Sequence, residues 1–136
     1  MAVKQKFKLV QNDQMPEVWL SLTDNITGDP IDVSDVGTAV YAHLREVGSK
    51  VVKESLVCDK LAGVVIATNE ETGAQTISVA PPYDTPGRGG RAAIVWNEDT
   101  LDKAGTFQAE IEVVFADAKP MTWYDLLQFQ VREQFA

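Results

Sequence analysis

The sequence predicts an all-β domain, a sandwich or a small barrel. Three observations carry that expectation. Apolar and polar residues alternate with period two in several short runs, clusters of Gly, Pro, Asn and Asp separate those runs, and no long segment keeps a 3.6-residue period. The 136 residues suit a single domain spanning 1–136, large enough to bury a core without covalent staples.

The runs follow one another along the chain. Phe7 and Leu9 alternate with Lys4, Lys6 and Lys8, and lysines on one face suit an exposed edge strand. Val18, Leu20 and Leu22 alternate with Glu17, Trp19 and Ser21. Val40, Ala42 and Leu44 alternate with Tyr41, His43 and Arg45. Val51–Cys58, Gly63–Ala67 and Gln75–Ala80 are rich in β-formers but do not alternate cleanly. Ala92, Ile94 and Trp96 share a face, which places Trp96 in the core. The clearest strand is Thr106–Phe115, where Phe107, Ala109, Ile111, Val113 and Phe115 oppose Thr106, Gln108, Glu110 and Glu112. Leu127, Phe129, Val131 and Phe135 close the series, with Glu133 interrupting the apolar face.

Turn chemistry fills the gaps: Asp24–Pro30, Val47–Lys50, Asn69–Gly73 and the long Pro81–Gly90 stretch. One helical turn is expected at Asp99–Ala104, capped by Asp99 or Thr100.

Composition narrows the function. Twelve Lys and Arg against twenty Asp and Glu give a net charge of −8, unfavourable for broad contact with nucleic-acid phosphates. The single Cys58 makes no internal disulfide, and one His with one Cys does not build a structural zinc site. The first eight residues lack the apolar region of a secretory leader, and no run is long enough for a membrane helix. No cofactor and no membrane partner are expected.

Candidate chemistry is sparse. His43 and Cys58 are the residues from which a thiol–imidazole pair is built, but they belong to different runs and His43 faces outward. Glu110 and Glu112 share a solvated strand face, whereas a catalytic carboxylate pair needs burial. Asp24, Asn25, Asp29, Asp32 and Asp35 crowd one region without EF-hand spacing, and turns explain the same residues. Gly87–Arg91 lacks the Lys and the helix of a phosphate loop. No catalytic, cofactor or metal residue is therefore assigned. Interface residues are expected instead. Tyr83, Arg88 and Arg91 belong either to a flexible loop suited to an acidic partner or to a solvated hairpin tip. Trp123 and Tyr124 form an aromatic corner, and Trp19 is an outward aromatic; these serve as interface anchors or are equally covered by the long loop.

The order of short motifs resembles an immunoglobulin-like virion domain of tailed bacteriophages, of the type at the N-terminus of the siphophage baseplate upper protein. The series runs Asn12-Asp13-Gln14-Met15-Pro16, Leu22-Thr23-Asp24, Pro30-Ile31-Asp32-Val33 and Val40–Arg45. It continues through Gly90–Trp96, Asp99-Thr100, Ala104–Val113, Phe115–Lys119 and Thr122-Trp123. Phe107 and Ala118 stand where the family pattern has Tyr and Gly, and Trp123 interrupts a Thr-x-Pro step.

The resemblance implies an immunoglobulin-like antiparallel β-sandwich of about eight or nine strands with one long inserted loop, 57–87 being an insertion or extended hairpin. It also implies a non-enzymatic structural protein of the virion, made in the host cytoplasm. Such a protein decorates the head or acts as a tail or baseplate adaptor. Its partners would be major capsid, neck, tail or baseplate proteins, in a homo-oligomer or symmetric multi-copy array. The alternative is a carbohydrate- or host-receptor-binding module in which Trp19 and Tyr41 stack on sugar rings. The lysines at the start and the acids of 98–117 suggest a polar docking surface between subunits.

Overall fold

A computed structural model describes residues 6–15 and 17–135; Lys4 and Pro16, used above, lie outside the described residues. The chain is all-β. Its strands are β1 (Lys6–Val10), β2 (Val18–Ser21), β3 (Ala39–Glu46), β4 (Glu54–Val57), β5 (Asp59–Lys60), β6 (Val64–Thr68), β7 (Gln75–Ser78), β8 (Arg91–Ile94), β9 (Gly105–Val114), β10 (Pro120–Thr122) and β11 (Leu127–Arg132).

They form a six-stranded sheet in the order β1-β11-β9-β3-β4, with β10 also on β9. A three-stranded sheet β2-β8-β5 and a separate ribbon β6-β7 complete the fold. All pairings are antiparallel except β1 with β11, which is parallel.

The alternation read from the sequence sets the packing. Phe107, Ala109, Ile111 and Val113 of β9 point inward and meet Val40, Ala42 and Leu44 of β3 and Leu127, Phe129 and Val131 of β11. The small sheet adds Val18, Leu20, Ala92 and Ile94 from the other side, so the core lies between two sheets as in a sandwich. Phe129 is the hub. Its ring stacks on Phe7 at 5.3 Å and receives the edge of Trp96 at 5.4 Å. Trp96 is buried, as its register predicts. Lys6 and Lys8 are exposed on β1, the open edge of the large sheet.

Four expectations are corrected. Eleven strands are present among the described residues instead of eight or nine, because β5 and β10 are too short to show a period. The 57–87 segment is not one long loop. It holds β5 and the β6–β7 ribbon, and its extended-hairpin description fits Val64–Ser78. No helical turn forms at Asp99–Ala104. Residues 98–101 make a plain turn, where the Asn97 amide donates to Thr100 Oγ1 at 3.0 Å.

Trp123 is not a surface residue either: it is 2% exposed, and its indole N–H donates to the Thr23 carbonyl at 3.2 Å. β10 and β11 occupy successive lengths of the same edge of β9, and the Trp123 amide still donates to Ile111 O between them. That register turns Met121 and Trp123 inward and Thr122 and Tyr124 outward.

Ala118 takes a left-handed conformation at φ 67°, the conformation glycine accepts without penalty. Its amide donates to Phe115 O, and Asp117 Oδ1 accepts from the Lys119 amide, so the turn closes around the strained residue.

Candidate functional site

β2 and β8 place Trp19 opposite Ala93, facing away from the core. Trp19 is 65% exposed, yet Ala93 is fully buried, so something covers this outer face. Beside it runs the segment that enters the β6–β7 ribbon. Trp19, Leu61, Ala62, Val65, Ile77 and Arg91 line a groove of about 360 Å³ there. It is apolar apart from one guanidinium, which lies 5.9 Å from the centre of the Tyr83 ring. The ribbon leaves Val65 and Ile77 of the groove exposed, and Ile66 and Val79 beside it.

The structure thus brings Trp19, Arg91 and Tyr83 to one place, and Arg88 stands on the adjoining turn. Tyr124 is 94% exposed, on the outward register of the β10 end. Trp123 leaves the set because it is core.

The 81–90 stretch is not a projecting flexible tip. Gly90 O accepts from the Leu22 amide, Gly87 O from Val33, and Tyr83 O from Gly63, which ties the turn to three other segments. Gly90 is obligatory: at φ 75° a Cβ there would collide with the Leu22 carbonyl. Arg88 is exposed and lies 3.9 Å from Asp84.

On the outer face of the large sheet, His43 Nδ1 is 2.7 Å from Ser55 Oγ and its Nε2 is 2.9 Å from Glu112 Oε1. The imidazole stacks on Tyr41 at 5.8 Å. The register explains the cluster, since His43 faces Ser55 on β4 and Tyr41 faces Glu112 on β9. The sequence reading missed Ser55; strand pairing brings it to His43, and one strand's pattern cannot show that.

The order serine–imidazole–carboxylate is that of a nucleophilic triad. The surroundings are those of a cross-strand ladder. The groups lie on an open sheet face, and the nearest depression, about 130 Å³ lined by His43, Arg45 and Glu110, is too small to enclose a substrate.

Cys58 is not near this cluster. It faces the core on the opposite side of the sheet, and burial, aided by the Asp59 charge, pushes its thiol up to about 12. The His43–Cys58 pairing is therefore not built.

The acidic residues of the 24–35 region serve the backbone. Asp24 Oδ1 accepts from the Ile26 and Thr27 amides, and these bonds lower its pKa. Asp32 Oδ1 accepts from the Ser34 hydroxyl and amide, which lowers its pKa too, and Asp35 Oδ1 accepts from Gly37. Among the described residues no three His, Cys, Asp or Glu side chains converge as metal ligands would.

The acids of 98–117 are partly neutralised within the chain. Lys53 bonds Asp102 at 2.7 Å and offsets its charge. No helix among the described residues is long and apolar enough to cross a membrane.

No protein-family model matches this sequence, and the search of curated proteins finds no match.

Proposed function

We propose that this chain is a non-enzymatic structural protein of a tailed-phage virion. In this reading it decorates the head or adapts at the tail or baseplate, and it works through protein–protein contacts. One observation carries it: the surface offered to solvent around Trp19 and the ribbon is a broad apolar one of the kind partners cover.

The ordered motif series supports the immunoglobulin-like part of the reading, and the strand order agrees with it. In this reading β2, β8 and β5 correspond to strands B, E and D, and β3, β9 and β11 to C, F and G, with β4 added beside β3. Many copies on one particle make even modest contacts sufficient.

The test is composition. Particles purified through a density gradient contain the protein by mass spectrometry, at many copies each. Its absence from particles ends the proposal.

A second reading rests on Trp19 itself. An exposed indole beside a groove with one arginine suits stacking on a sugar ring. Tyr41 is less suited, since its ring already stacks on His43. Binding to a glycan array that disappears in Trp19→Ala, with incorporation into particles intact, favours this reading.

A further inference from the structure

We infer that the β6–β7 ribbon is a dimerisation arm. Two copies pair antiparallel through β7 about a two-fold axis and build a four-stranded sheet. The inference rests on the reading of this face as an interface, and it names the occupant as a second copy of the chain.

The first observation is incompleteness. The ribbon hydrogen-bonds to neither sheet, and a two-stranded ribbon is marginal alone, whereas three or more strands with an apolar face are stable. Val65, Ile66, Ile77 and Val79 remain exposed on it.

The second is the chemistry of its edges. The β1 edge carries Lys6 and Lys8, which blunt pairing with other chains. β6 has a register shift between Val65 and Ala67, and such a bulge twists an edge away from a partner. β7 has neither protection. From Gly73 to Ala80 there is no charge and no proline, and Gln75, Thr76 and Ile77 are exposed. It is an open, regular and neutral edge.

The third is charge. The ribbon's turn carries Glu70 and Glu71, and no residue from Leu61 to Ala80 is cationic. Neither glutamate makes an ion pair among the described residues. Arg91 lines the groove at the base of the ribbon, with Arg88 on the adjoining turn. Antiparallel pairing runs the acidic tip of each copy toward the arginine-bearing base of the other. One surface then complements itself, as a two-fold interface requires.

The test exploits the axis. Thr76 is exposed in the middle of β7, opposite the exposed Ala67, so it accepts substitution without unfolding the sandwich. About a two-fold, each Thr76 lies near its own copy. Thr76→Lys and Thr76→Glu each place like charges across the axis.

Sedimentation equilibrium and native mass spectrometry are run on the full chain at micromolar concentration. The expected results are a wild-type dimer and at least tenfold weaker association for each variant alone. A one-to-one mixture of the two variants restores a heterodimer. Hydrogen exchange at the β7 amides slows in the dimer and the heterodimer.

A monomeric wild type overturns the inference. So does a dimer that both substitutions leave intact, or a mixture that fails to re-associate. The particle-composition experiment is independent. A monomer found in particles refutes the arm and keeps the virion role; a dimer absent from particles does the reverse.

Discussion

Replacing Trp123 and Tyr124 separately by alanine distinguishes a core tryptophan from an interface one. The two are adjacent, yet Trp123 is 2% exposed and Tyr124 94%. Removing the buried indole leaves a cavity in the core beside β9 and Thr23, and such truncations cost about 3–5 kcal/mol. The lost bond to the Thr23 carbonyl belongs to that cost, and by itself such a bond is worth about 1 kcal/mol. Trp123→Phe therefore falls in between, at about 1–2 kcal/mol. Tyr124→Ala, which empties no packed space, stays within about 0.5 kcal/mol.

A domain of this size has about 5–15 kcal/mol in total, so Trp123→Ala removes a large share. In urea, with a slope of about 2 kcal/mol per molar, its midpoint falls by roughly 2 M. The assay is equilibrium unfolding followed by circular dichroism. A Trp123→Ala loss below about 1 kcal/mol, or a Tyr124→Ala loss equal to it, refutes the packing argument.

Other consequences follow from single groups. Gly90→Ala destabilises by about 2 kcal/mol or more, while Gly28→Ala, also at positive φ but in open space, costs about 1 kcal/mol; thermal unfolding compares them. Ala118→Gly relieves a left-handed alanine and raises stability by about 0.5–1 kcal/mol in the same assay. The Cys58 thiol has a folded pKa raised from 9.0 to about 12, so its contribution is full below pH 9 and is lost as pH rises toward 12. At pH 8 it resists a thiol reagent in the folded chain and reacts after unfolding. Ser55 is not labelled by a fluorophosphonate probe; stoichiometric labelling that requires His43 would instead reveal a working triad.

Much of the large sheet was legible because it is buried on one face only. β9 spans Gly105–Val114 against an expected Thr106–Phe115, and its inward residues are those the alternation named. β11 ends at Arg132, where Glu133 breaks the pattern. The ribbon was harder to read. Val64–Thr68 is nearly all apolar and mostly exposed, so its side chains answer to neither core nor solvent, and no period results.

Trp123 was misread because β10 is three residues long. The alternation of Met121 and Trp123 with Thr122 and Tyr124 was present, but too brief to stand out from a turn. Ala118 is the converse case. A resemblance to a glycine-bearing turn anticipated the geometry, and the chain reaches it with the wrong residue for that backbone.

The candidate site was legible in its residues and not in its place. Trp19, Tyr83 and Arg91 were singled out for being aromatic or cationic outside the core. That they meet beside one groove depends on β2 pairing with β8 and on the path of the ribbon base, which no local pattern encodes.

The central claim is that the face around Trp19 and the ribbon is a protein–protein contact surface of the virion. It is tested most directly by growing phage with wild-type protein, or with Trp19→Glu combined with Ile77→Glu, and quantifying the protein in purified particles. Both side chains are surface-exposed, so the doubly substituted chain folds with an unchanged circular dichroism spectrum. The account predicts abundant wild-type protein in particles and a loss of at least tenfold for the variant. Wild-type protein absent from particles, or a folded variant incorporated as fully as wild type, contradicts it.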